Sequence, residues 1–118
     1  MMNRKIISSL SDQDKSSLRL LKALIIEYPQ NRYTINQLAK KAGISRIKLT
    51  YGFKLLFGSG IHQFIITKRI EKAQGLLHST DLPIKAIASQ CGYKTTQHFI
   101  TAFKKYTGQS PGLYRKSN

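Results

Sequence analysis

The 118-residue chain carries a formal net charge of +15 and is 41% hydrophobic, enough apolar material for one small domain or two mini-domains sharing a core. A single cysteine excludes an internal disulfide framework and fits a reducing compartment. The apolar runs are too short to span a bilayer, and none follows the basic N-terminus as a secretion signal would, so a cytoplasmic protein without membrane association is expected.

Residues 1–10 read as an N-terminal extension. Ser11 or Asp12 then opens a helix to about Tyr28, with Leu18, Leu21, Leu24 and Ile25 as its buried face, and Pro29, Gln30 and Asn31 break it. Thr34 can N-cap a short helix from Ile35 to about Lys41, its side-chain oxygen satisfying a free backbone donor. Gly43 lets the chain turn sharply, and Ser45 caps a second helix from Arg46 to about Phe57 with an apolar stripe of Leu49, Phe53, Leu56 and Phe57. Ile61 to about His78 reads as one continuous helix whose apolar positions are Phe64, Ile65, Ile70, Ala73, Leu76 and Leu77. Gly75 is its interior weak point, for which close helix packing is the expected reason. Pro83 suits the first turn of another short helix, which turns at Gly92. Thr95 or Thr96 caps a longer helix with the stripe Phe99, Ala102, Phe103 and Tyr106, and a short final helix follows Pro111. The predicted fold is all-α with about seven helices and no strand. Its predicted units are 11–58, a linker helix within 59–79, and 80–118.

The two short-long helix pairs repeat each other. At an offset of 49, Ile35, Ala39 and Gly43 recur as Ile84, Ala88 and Gly92. One extra residue after the glycine makes the offset 50, so that Leu49, Phe53-Lys54 and Gly58 match Phe99, Phe103-Lys104 and Gly108. A short helix, a glycine turn and a longer helix, with small Ala39 and Ala88 where the helices must cross closely, make a helix-turn-helix signature. One copy is a weak signal; two in register are a strong one.

The charge is also uneven. From Arg32 onward there are 15 Lys and Arg against Glu71 and Asp81. A body this basic calls for a polyanion, since each phosphate contact releases counterions. Double-stranded DNA fits the repeat: the second helix of each pair can enter a major groove, where base pairs are distinguishable. A linker helix of about 18 residues rises about 27 Å, on the scale of the about 34 Å between neighbouring major grooves.

In each reading helix the core stripe faces inward and the opposite face is left for DNA. The outward positions of the first are Arg46, Ile47, Thr50 and Tyr51; of the second, Thr96, Gln97, Ile100 and Thr101. Glutamine can pair bidentately with adenine, so Gln97 is the leading candidate for base recognition. Arg46 can bind guanine or a phosphate, and Ile47 can pack on a thymine methyl. Tyr51 can bond a phosphate, bond a base edge, or be an ordinary surface tyrosine. Thr96 can contact DNA or cap its helix. Lys48, Lys54, Lys94 and Lys104 flank these faces and suit phosphate contacts, as a set more than singly, and His98 can touch the DNA backbone. Arg69 is read as structural, tying the two units together.

These residues resemble the AraC/XylS family of bacterial transcription regulators. The likeness runs from Ser11 to Tyr114. It is carried first by Leu38-Ala39, Gly43-Ile44-Ser45, Phe53-Lys54 and Phe57-Gly58, then by Arg69, Ala73 and Leu76-Leu77. The most specific part is Ile84, Ile87-Ala88, Gly92-Tyr93, His98-Phe99, Phe103-Lys104, Gly108, Ser110-Pro111 and Tyr114. The resemblance implies a transcription regulator, an activator, whose base-reading positions fall on the outward residues named above. It implies RNA polymerase as a further partner and, if the chain is a fragment, a separate sensing or dimerisation domain. The chain departs from the family at Pro83, where a serine-like cap is commoner. It departs again at Gly52, which weakens helix propensity beside Phe53, and at Thr107, where an aromatic is usual.

Other chemistry finds no support. His62, His78 and His98 lack ligand spacing with Cys91, which sits at the small position before the turn glycine and reads as structural. No phosphate-binding glycine loop, cofactor signature or catalytic constellation stands out, so no enzyme is expected. The competing readings are a non-specific architectural DNA-binding protein and a membrane-active basic helix. Uncharged Gln97, Thr101 and Ile47 on the reading faces argue against the first, and the regular repeat against the second.

Overall fold

The computed structural model describes residues 10–117, all in helices and connecting turns. The helices are α1 (Asp12–Glu27), α2 (Ile35–Ala42), α3 (Arg46–Phe57), α4 (Ile61–Ser79), α5 (Ile84–Gln90), α6 (Thr96–Thr107) and α7 (Pro111–Ser117). The expected all-α chain of seven helices is what these residues form. Of the expected N-terminal extension only Leu10 lies within the described residues, and it is buried against the core rather than extended away from it.

Local chemistry sets the helix ends. At α1, Ser11 accepts from the Asp14 backbone N–H while the Asp14 carboxylate accepts from the Ser11 N–H, both at 3.0 Å, a reciprocal capping box. Thr34 and Gln37 make the same exchange at α2. Pro83 supplies only backbone at the start of α5; it stands at the cap position, one residue before the first turn.

Two compact units result, each with its own core. The first gathers Leu18, Leu21 and Ile25 of α1, Leu38 and Ala39 of α2, Leu49 and Phe53 of α3, and Ile61 and Ile65 of α4. The second gathers Ile70, Ala73 and Leu77 of α4, Ile87 and Ala88 of α5, Cys91, and Phe99 and Phe103 of α6. Helix α4 is therefore not a bare spacer: it contributes core residues to both units, and the division falls after Ile65. Ile61 joins the apolar positions expected for this helix, three and four residues before Phe64 and Ile65.

The Pro29–Asn31 segment belongs to the second unit although its chain neighbours belong to the first. Arg69 holds it, donating from Nε to the Pro29 carbonyl and from Nη2 to the Asn31 carbonyl, both at 2.8 Å. Lys72 Nζ adds a bond to Gln30 Oε1 at 3.2 Å. The Arg69 guanidinium also lies 5.6 Å from the Tyr93 ring centroid.

The close packing expected at Gly75 is found at Gly52 instead. Gly75 is exposed, and a Cβ added there would meet no atom within 4 Å, so no packing contact requires glycine. Gly52 is buried, and an added Cβ would sit 2.9 Å from Leu18 Cδ1 and 3.3 Å from both Leu10 Cδ atoms. Gly75→Ala should therefore stabilise the protein by about 0.5–1 kcal/mol through helix propensity alone. Chemical denaturation followed by circular dichroism checks this; a loss of stability would mean the site is packed after all.

Candidate nucleic-acid interface

The two reading helices are built alike. Each has 12 residues, is N-capped by a hydroxyl and ends at a glycine. Ser45 accepts from the Lys48 N–H at 3.1 Å, and Thr95 from the His98 N–H at 3.0 Å. Thr95 is thus the cap, and Thr96 is the first helical residue, which removes the capping alternative for Thr96. The preceding turns match as well: Ile44 N donates to the Ala39 carbonyl at 3.1 Å and Tyr93 N to the Ala88 carbonyl at 3.0 Å. The extra residue of the second copy falls in its turn, between Tyr93 and the cap Thr95, and is Lys94. From the caps onward the offset of 50 holds, so Ile47 and Gln97 occupy the same helical position.

On α3, Arg46, Ile47, Thr50 and Tyr51 are all exposed. The Thr50 hydroxyl donates to the Arg46 carbonyl at 2.8 Å, which leaves it only an acceptor for any ligand. Ile47 is 55% exposed and Tyr51 38%, large values for apolar side chains. With Ile35, Ile61, Arg46 and Thr50 they line a concave surface of about 660 Å³ in the first unit.

On α6, Gln97 and Thr101 are exposed, while Thr96 and Ile100 are half-buried. Ile100 packs against the second core, so its apolar surface is shared between the core and the outer face. Gln97 Nε2 donates to Thr101 Oγ1 at 3.3 Å, one turn on. This pins the amide and still leaves one N–H and the carbonyl oxygen, the pair that bidentate contact with adenine needs.

Lys54, Lys94, His98 and Lys104 are exposed as a phosphate-facing set would be. Lys48 is different. Its Nζ lies 3.1 Å from Asp14 Oδ2 in an ion pair, so its charge serves the cap of α1. No spacing rule could have found a partner 34 residues away. The Asp14 carboxyl is held below the usual carboxylate range, first by the Ser11 N–H and then by Lys48, against the opposing cost of burial. A depressed folded pKa contributes stability that is complete above the unfolded value of about 4 and is lost as pH falls through the folded value. Asp14→Asn should therefore be less stable than the parent at neutral pH, and the gap should close in acid. Denaturation across that range checks it, and a pH-independent gap would contradict the ion-pair account.

Cys91 is fully buried, and burial pushes its thiol up to about 11 despite nearby Lys72 and Arg69. Among the described residues no three His, Cys, Asp or Glu lie close enough to hold a metal ion, and no helix is long and apolar enough to cross a membrane.

A sequence profile for helix-turn-helix domains matches residues 38–117. The DNA-binding domain of the transcriptional factor AdpA, solved in complex with a target DNA, superposes with a TM-score of 0.82 at 30% identity, covering 86% of this chain and 91% of that one. The chain belongs to the AraC-type helix-turn-helix family. A further neighbour is the C-terminal domain of AraT, a response regulator from Geobacillus stearothermophilus, with a TM-score of 0.78, 33% identity, and coverage of 93% and 88%. Among curated relatives, the xylose operon regulatory protein of Escherichia coli (strain K12) is 40% identical over 84 residues, which is 71% of this chain but 21% of that regulator. This family member thus spans about a fifth of that relative's length.

Proposed function

We propose that the chain binds double-stranded DNA sequence-specifically and regulates transcription, with α3 and α6 entering successive major grooves. The observation that carries this is the pair of hydroxyl-capped helices presenting base-competent side chains, in a fold shared at 30% identity with a domain solved on its target DNA. Arg46, Ile47, Thr50 and Tyr51 meet bases from α3. Thr96, Gln97 and Thr101 do so from α6, with the exposed part of Ile100. Lys54, Lys94, His98 and Lys104 hold phosphates, while the Lys48 ammonium is paired with Asp14 in the free protein.

The chemistry is recognition rather than catalysis, in the cytoplasm. RNA polymerase is the expected second partner, as for an activator. If the chain is a fragment, a sensing or dimerisation domain is expected in the remainder, because the curated relatives are longer than this chain.

Selection of bound sequences from a random duplex pool tests the proposal. One preferred duplex of about two helical turns, bound far more tightly than its scrambled version, is the expected result. Equal affinity for scrambled duplexes at moderate salt would instead indicate a non-specific architectural protein.

A further inference from the structure

Building on the DNA-binding reading above, we infer that α3 recognises its half-site through the methyl groups of thymine, whereas α6 reads by hydrogen bonds. The two helices are alike in cap, length and register, yet differ in what they present at equivalent positions. Where α6 carries Gln97, with a free amide N–H and carbonyl oxygen, α3 carries Ile47, 55% exposed. One turn on, Tyr51 extends the same apolar face, and Ile35 and Ile61 floor the concavity of about 660 Å³ beside it.

At the Ile47 position α3 offers no hydrogen-bonding group, and two of its polar neighbours are engaged within the protein. The Thr50 hydroxyl is spent as a donor on the Arg46 carbonyl, and the Lys48 ammonium is occupied by Asp14. On α3 itself Arg46 and the Tyr51 hydroxyl are what remains, and His62 and Gln63 of α4 line the far side of the concavity. Among the groups that unmodified bases show in the major groove, the thymine C5-methyl is the apolar one, and so matches such a surface. Charge selects DNA as the occupant over a basic or neutral protein surface of similar shape. Neither α2 nor α3 contains an acidic residue, and Arg46 and Lys54 lie on α3 itself. An apolar patch bordered by Arg46 and by no carboxylate fits a methyl group flanked by phosphates.

Replacing thymine with uracil deletes the methyl and leaves every hydrogen-bonding group in place. The test uses the full chain and the duplex obtained by selection, with thymines replaced by uracil one at a time, read by fluorescence anisotropy. At one or two thymines the affinity should fall about three- to tenfold, the scale of one buried methyl group. In Ile47→Ala the same replacements should change affinity less than about twofold. Ile47 is exposed, so this variant should keep its fold, which its circular dichroism verifies. A duplex indifferent to uracil, a preferred duplex without thymine, or a uracil penalty that survives Ile47→Ala would each overturn the inference while leaving DNA binding intact. Failure to select any duplex would overturn the DNA-binding reading and this inference together.

Discussion

Gly92→Ala is expected to destabilise the second unit by at least about 3 kcal/mol, whereas Gly43→Ala, at the equivalent turn, should cost about 1–2 kcal/mol. Both glycines have positive φ, 91° and 69°, which a side chain adopts only with strain. The difference lies in what surrounds them. A Cβ on Gly43 would meet nothing within 4 Å, so its penalty is the backbone conformation alone. A Cβ on Gly92 would run into the Gln30 carbonyl oxygen, with the Gln30 carbonyl carbon and Cα both at 2.9 Å. These are main-chain atoms and cannot rotate away. The Arg69 bonds to Pro29 and Asn31 fix them from either side, so relief would require breaking two hydrogen bonds of 2.8 Å. Gly43→Asn should be milder still, because asparagine tolerates the left-handed region. Urea denaturation of the three variants ranks them. Equal losses at Gly92 and Gly43 would show that the Gln30 contact carries no energy.

The same pair of turns shows what the sequence could and could not tell. Both glycines were legible as turn residues, because a left-handed C-cap is a local event with a local residue preference. So were the hydroxyl caps Thr34 and Ser45 and the 50-residue register of the reading helices, which depend on neighbours within a few positions. That Gly92 also admits a distant main chain was not legible, since Gln30 lies far earlier in the chain and reads only as part of a helix break. Gly52 and Gly75 make the point from the other side. Each costs a helix the same propensity, and the sequence offers no means of telling which one faces Leu18 and which faces open space. On the candidate interface, outward positions followed from helical periodicity. What each side chain is free to do depended on contacts that periodicity does not encode: Lys48 with Asp14, Gln97 with Thr101, and Ile100 against the second core.

Those contacts sharpen the largest expected effect on binding. Gln97→Ala should weaken the selected duplex by about 1–3 kcal/mol and flatten the preference at one base pair, leaving the salt dependence unchanged. The loss arises because the free N–H and carbonyl oxygen of the amide disappear together, and an adenine edge loses two bonds at once. Lys104→Ala should behave differently. It should weaken every duplex, scrambled ones included, and reduce the slope of log affinity against log salt by about one, since a phosphate contact releases counterions without reading sequence. Lys48→Ala supplies the contrast between the two, because its ammonium is already paired with Asp14. It should lower stability and leave the salt slope where it was. Titrations of the three variants at several salt concentrations, against selected and scrambled duplexes, separate these outcomes. If Gln97→Ala weakened both duplexes equally, Gln97 would be a backbone contact and the reading of α6 would have to move to Thr96 and Thr101. If Lys48→Ala reduced the salt slope as Lys104→Ala does, the Asp14 pair must open on DNA, and the capping box of α1 would then be coupled to binding.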